Sequence, residues 1–194
     1  MNRVVLPLRT ARLTLREFAP ADLEPLQALA RDARVLEYAP AGSRALETLR
    51  RARAAPAARP RPRRRRSYEL AVVLNRGGKL IGACDLALSG PRAADVGYML
   101  APRHWGHGYG TELARALVAF GFGPLALERL CAVVAIENDR SRRVLENVGF
   151  VWEGLMRRHF RTRGRTWDCH FYVIDRQRWL ADSAPCAVSP ARGS

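Results

Sequence analysis

Apolar and polar residues alternate through Arg12-Leu13-Thr14-Leu15-Arg16-Glu17-Phe18, and a period of two predicts a half-buried strand. The period then lengthens. Pro20 and Asp22 open a helix with Leu23, Leu26, Leu29 and Ala30 on one side, and Pro25 falls in its first turn, where the missing N–H has no intrahelical partner in any case. A second helix is predicted from Ser43 to about Ala54. Strands follow at Tyr68–Leu74, Leu80–Leu88 and Asp95–Leu100, the first two joined by the hairpin signal Asn75-Arg76-Gly77-Gly78. Leu113, Ala116, Leu117 and Phe120 recur at i, i+3, i+4 and i+7, so Thr111–Phe120 reads as an amphipathic helix. Arg129–Ile136 is a short apolar strand. Asn138 or Asp139 then caps a helix that presents Ser141, Val144, Leu145 and Val148 on one face and stops at Gly149. Strands at Val151–Phe160 and Thr166–Asp175 close the pattern.

The predicted order is therefore β-α-α-β-β-β-α-β-α-β-β. It describes an α/β (α+β) single domain over residues 1–180, with a mixed sheet of about seven strands and helices on its faces. The small, polar residues 181–194 are expected to be a disordered tail. A chain of 194 residues suits one sizeable core. No apolar run reaches the roughly 20 residues that span a bilayer, and the start lacks the pattern of a signal peptide. Cys84, Cys131, Cys169 and Cys186 show no metal-ligand spacing and read as reduced thiols, three of them in the core. These features point to a cytoplasmic protein without a metal and without membrane contact.

Net charge is +15, but it is unevenly spread. Between Arg44 and Arg66 ten arginines face one acid, Glu47, for a local charge of +9 that leaves +6 elsewhere. Residues 55–66 combine prolines with repelling guanidinium groups and no apolar stripe, which predicts an extended basic loop. Such a loop is a candidate contact for RNA or the ribosome, although no aromatic residue interrupts it for base stacking before Tyr68.

The chemistry concentrates in Arg103-His104-Trp105-Gly106-His107-Gly108-Tyr109-Gly110-Thr111, a glycine-rich turn that leads from a strand into a helix. Glycines allow positive φ and close approach of the backbone, while the helix start offers unpaired N–H groups and a partial positive charge. Phosphate is the natural guest. Glu112 would repel it if it faced inward, so it is expected to point away or to make a capping interaction. Neither a nucleoside-triphosphate loop nor a dinucleotide-binding fingerprint fits this turn.

The stretch Asp95–Glu112 resembles the acetyl-CoA motif of the GNAT superfamily of N-acetyltransferases, and is similar in particular to its RimJ/RimL-like branch. Leu13-Thr14-Leu15-Arg16, Asn138–Phe150 and Glu153-Gly154 agree, so the resemblance covers roughly residues 10 to 180. It implies a GNAT-like fold with splayed central strands and acetyl-CoA as co-substrate. It also implies a cofactor site built from Met99, Leu100, Trp105, Gly106, His107, Gly108, Tyr109, Gly110, Thr111 and Asn138. Aligned on the helix start, Trp105 takes the motif's first position, which makes Arg103 an optional phosphate partner. The reaction implied is direct attack of an amine on the thioester. The branch suggests Ser141 as the acid, since the last helix has no tyrosine, and Asp95 as the base through a water, with Glu69 as runner-up. His104, His107, His159 and His170 carry less weight. The implied acceptor is a protein N-terminal α-amine of the ribosomal-protein type, or else a small amine. If the basic loop borders the acceptor site, it would favour neutral or acidic acceptors. The resemblance leaves monomer or homodimer open.

Overall fold

The computed structural model describes residues 6–38, 65–162 and 164–183. The helix expected at Ser43–Ala54, nearly all of the basic loop and most of the tail lie outside those residues. Eight strands form one sheet in the order β1-β2-β3-β4-β5-β6-β8-β7. They are β1 (Leu8–Arg9), β2 (Leu13–Arg16), β3 (Ser67–Leu74), β4 (Leu80–Leu88), β5 (Ala93–Leu100), β6 (Arg129–Ala135), β7 (Val151–Thr162) and β8 (Arg165–Asp175). About seven strands were expected; the eighth is the two-residue β1, which pairs Leu8 with Leu15 and Arg9 with Thr14. Every neighbouring pair is antiparallel except β5 and β6.

The helices are α1 (Leu23–Leu29), α2 (Ala33–Leu36), α3 (Tyr109–Phe122), α4 (Asp139–Glu146) and α5 (Arg176–Ser183). On one face Leu26 of α1 is buried among Ala71, Val73, Leu80 and Ala83. On the other, Leu113 and Leu117 of α3 meet Leu13, Leu15, Leu70, Val72 and Leu100. Farther along, Val118 and Phe120 meet Leu130, Leu145 and Ile174. Each such side chain contributes about 1.5–3 kcal/mol on burial, so the i, i+3, i+4 stripe of α3 is what holds the helix against the sheet. Asn138 caps α4 by accepting the Ser141 N–H at 3.2 Å. Cys84, Cys131 and Cys169 are buried free thiols. The helix α5 belongs to residues whose low hydropathy and lack of an apolar stripe predict none; Trp179 seats it against Phe122.

Candidate active site

Two structural features define the site: the start of α3 and a break in the sheet. Gly106 and Gly108 both adopt φ +78, the left-handed region that only glycine enters without strain. Gly108 is the N-cap of α3, so the N–H groups of the first turn open onto solvent beside a cavity of about 630 Å³ lined by Thr10, Arg12, Gly108, Thr111, Glu112 and Arg115. Gly110 has a different role. Its φ is not positive, but a Cβ there would come within 3.1 Å of Val144 Cγ2 on α4. Gly110 is the contact that lets the two helices approach.

Glu112 is drawn off the anion path, not into a cap. Its carboxylate accepts the Thr10 hydroxyl at 2.6 Å, the Arg12 backbone N–H at 2.7 Å and Arg12 Nε at 2.6 Å. Although burial raises its pKa, these three donors outweigh it and hold the carboxyl below its ordinary range. The same Arg12 donates through Nη1 to the His107 carbonyl at 2.9 Å and lies over the Tyr109 ring at 4.5 Å. A basic residue thus stands over the turn, supplied from about 100 residues away. The sequence shows Arg12 only as the start of a strand; no local signal marks it as part of the site. His107 Nδ1 lies 2.7 Å from the Trp105 carbonyl. Arg103 is not brought to this turn: it bonds His104 at 3.1 Å and lines a hollow with Pro25, Leu29 and Arg34 near α1.

The break lies between β5 and β6. They pair only at Ala93–Arg129, Ala94–Leu130 and Asp95–Cys131, while both strands run on, to Leu100 and Ala135. Beyond Asp95 they diverge, and the β6-facing edge of β5 is left open. Which backbone groups face the opening follows from the β4–β5 register. Ser89 N donates to the Ala93 carbonyl and Ala101 N to the Ile81 carbonyl, so alternate residues of β5, Met99 among them, turn their backbone toward β4. Met99 is therefore not an edge residue; Tyr98 and Leu100 are. The Leu100 carbonyl is already occupied by the Trp105 indole N–H at 2.8 Å, which leaves the Leu100 N–H and both Tyr98 backbone groups facing the gap. Trp105 serves here as a strut, with Arg140 stacked on its ring at 4.9 Å.

A helix start stripped of its local negative charge, next to an unpaired strand edge, suits a long ligand with a diphosphate at one end and amides along its length. The sequence profile of the GNAT acetyltransferase domain matches residues 12–151. The chain belongs to the GNAT acetyltransferase family. Acetyltransferases of this family use acetyl-CoA. The chain is 37% identical over 87 residues to the uncharacterized N-acetyltransferase YoaA of Bacillus subtilis, which covers 45% of this chain and 49% of that protein. It is 33% identical over 88 residues to the putative ribosomal N-acetyltransferase YdaF of the same organism, covering 45% and 48%. The chain thus spans about half the length of these two relatives. Two solved structures share its fold nearly end to end. A GNAT-family acetyltransferase from Bacillus anthracis superposes with TM-score 0.74 at 25% identity, covering 89% of this chain and 99% of the other. Spermidine N-acetyltransferase from Vibrio cholerae, in complex with CoA and spermine, gives 0.71 at 25%, covering 88% and 99%. The GNAT fold, with its mixed sheet and splayed centre, agrees with the sequence-based expectation.

The two residues expected to act as acid and base stand on α4 and β5. Ser141 lies in the first turn of α4, half-buried and tied by its N–H to Asn138. Asp95 lies on β5 at the last paired rung before the opening, exposed. Strand alternation puts Asp95, Gly97 and Met99 on the α1 face, and Val96, Tyr98 and Leu100 on the α3 face. Ser141 and Asp95 are thus on opposite sides of one opening. Glu69 stands across from Asp85, and Asp85 across from Gly97. A Cβ at Gly97 would lie 2.8 Å from an Asp85 oxygen, so the glycine makes room for that buried carboxylate. Asp85 escapes sequence reading because β4 is buried on both faces and its alternation is silent. His170 packs against Trp152 and Tyr172, and His159 sits in an irregular stretch of β7. Among the described residues no helix is long and apolar enough to cross a membrane.

Proposed function

We propose that this enzyme transfers acetyl from acetyl-CoA to a protein N-terminal α-amine. The observation that carries the donor half is the loss of β5–β6 pairing after Asp95–Cys131, which opens a strand edge in line with the start of α3. In this reading acetyl-CoA supplies the activated acetyl group. The backbone from Gly106 through Thr111 receives its diphosphate, the Leu100 N–H and the Tyr98 backbone face its amides, and Asn138 borders the reactive end. Asp95 accepts the proton of the incoming ammonium through a water, and Ser141 donates one to the departing thiolate. A base and an acid on opposite sides of one opening fit attack from one side and departure on the other.

The acceptor half rests on the similarity to a putative ribosomal N-acetyltransferase, and on Glu69, Asp85 and Asp95 standing together on the α1 face of β3, β4 and β5. The same carboxylates support a second reading, a polyamine acceptor, as in the Vibrio cholerae spermidine enzyme. The test is thiol release from acetyl-CoA across N-terminal peptides of neutral and acidic sequence, spermidine and small metabolite amines. Peptides are expected to give the highest kcat/KM. Spermidine leading the panel would replace the first reading with the second, and no coenzyme A binding by calorimetry would refute both. Tight, salt-sensitive RNA binding without turnover would instead favour a role for the arginines of residues 44–66, which lie almost wholly outside the described residues.

A further inference from the structure

Tyr98 is a polar side chain at the opening that the roles above leave unused. It stands on β5 three residues past the last β5–β6 rung, with its ring on the α3 face beside the Leu100, Leu113 and Leu117 cluster. Its hydroxyl is buried and has no hydrogen-bond partner among the described residues. A buried hydroxyl without a partner is destabilising, and in native proteins such groups are few. Phenylalanine would fill the same apolar space without that penalty. The polar group that acts on this hydroxyl is the Ser141 side chain. Burial pushes the phenol up to about 12, and the Ser141 hydroxyl opposes that rise. A Cβ at Gly110 would lie 3.1 Å from Val144 of α4 and 4.0 Å from Leu100 of β5, so α4 comes up to the α3 face of β5 where Tyr98 stands, and the two hydroxyls adjoin without a closed hydrogen bond. Tyr98 also stays protonated throughout the neutral range, so toward Ser141 it is a fixed donor.

We propose that Tyr98 is a positioning residue for Ser141: its O–H donates to Ser141 Oγ and turns the serine proton toward the opening between β5 and β6. The proposal rests on the reading of Ser141 as the acid. In the transfer the new C–N bond forms, the C–S bond breaks and its electron pair stays on sulfur. The Ser141 O–H bond then breaks as an S–H bond forms. The serine oxygen, held by the Tyr98 O–H, recovers its proton from water, and Tyr98 keeps its own throughout. The nitrogen sheds two protons on the way from ammonium to amide: the first goes to the base before attack, and the second goes to water, making good the proton that the serine oxygen takes up.

The experiment compares wild type, Tyr98→Phe, Ser141→Ala and the double variant in single-turnover acetyl transfer to the acceptor that reacts fastest in the panel above, with KM for acetyl-CoA and Tm measured alongside. Losing one neutral hydrogen bond predicts a roughly three- to tenfold slower transfer for Tyr98→Phe, at unchanged KM and with Tm equal to or above wild type. Ser141→Ala should slow transfer at least tenfold, and the double variant should match it, because Tyr98 has nothing left to orient. Additive losses would mean that Tyr98 acts independently of Ser141, which overturns the inference. So would full activity of Tyr98→Phe beside an impaired Ser141→Ala, or a fall in Tm that accounts for the lost rate. Full activity of Ser141→Ala would overturn the acid assignment itself, and the inference with it.

Discussion

Gly108 and Gly110 stand two residues apart in one motif, yet their replacement should fail in different ways. At Gly108 a Cβ would meet little, the nearest atom being Arg12 Nη2 at 3.4 Å. The difficulty is the backbone, since φ +78 costs an alanine about 1–2 kcal/mol and a β-branched residue more. If the turn keeps its shape, Gly108→Ala loses that much stability, about 2–8 °C in Tm for a domain of this size. If it relaxes, the N–H groups at the start of α3 rotate and acetyl-CoA binds more weakly. Gly110→Ala has no such strain, and gains about 1 kcal/mol of helix propensity. Against that stands the 3.1 Å approach to Val144 Cγ2, and overpacking of this kind costs about 1–3 kcal/mol. The net loss is about 0–2 kcal/mol, and α4 is pushed away with Ser141 on it. Calorimetric titration with coenzyme A, Tm and steady-state kcat separate the two. Gly108→Val should raise the coenzyme A Kd. Gly110→Ala should lower kcat at near-normal Kd, and Val144→Ala should restore it by making room. Equal weakening of coenzyme A binding by both variants, or no rescue by Val144→Ala, would refute the division of labour between the two glycines.

Three further outcomes follow from the ion pairs and the strut. Glu112→Gln removes the charge that pairs with Arg12; because Arg12 is half exposed, the loss should be about 1 kcal/mol in a urea midpoint, shrinking in 1 M salt. Asp22 accepts two bonds from Arg16, at 2.6 and 2.8 Å, and the Ala19 N–H. Burial raises its pKa, yet these donors prevail and hold it below the ordinary carboxylate value. The folded state therefore gains stability above that value and loses it as pH falls through the depressed one. Asp22→Asn should cost about 2 kcal/mol at pH 7, with the gap in Tm closing as wild type is acidified below the ordinary aspartate value of about 3.9; a gap constant with pH would contradict the pairing. Trp105→Phe frees the Leu100 carbonyl, and should raise KM for acetyl-CoA while lowering Tm by a few degrees. An unchanged KM would show that the strut does not hold the edge in shape.

Much of the fold could be read from periodicity, because a strand or helix with one buried face repeats that face locally. Leu80–Leu88 matches its predicted bounds, and the Leu113–Leu117 stripe located α3. The two-residue β1 is too short to show a period, and α5 carries little apolar signal. In the site, the glycines of the turn are visible because positive φ has a residue signature. What Gly110 touches is not visible, for it depends on a helix thirty residues onward. The same holds for the neutralising of Glu112 from the other end of the chain. The choice between Met99 and Tyr98 turns on the phase of the β4–β5 ladder, which a stretch of half-buried residues does not reveal.

The three rungs at Ala93–Asp95 make the sheet a hinged object as well as a scaffold. From Asp95 to Leu100 the open edge of β5 runs five residues, carried by β4, an arm of about 16 Å at 3.3 Å per residue. A change of about 5° in the angle between the two half-sheets moves the far end by about 1.4 Å, and displacements near 1 Å can change a rate a hundredfold. The residues that set this angle are the fully buried Ala94 and its neighbour Cys131, neither of which needs to touch a substrate. Drift in turnover among related chains can therefore originate at the fulcrum, in a methyl group gained or lost at a residue that takes no part in the chemistry.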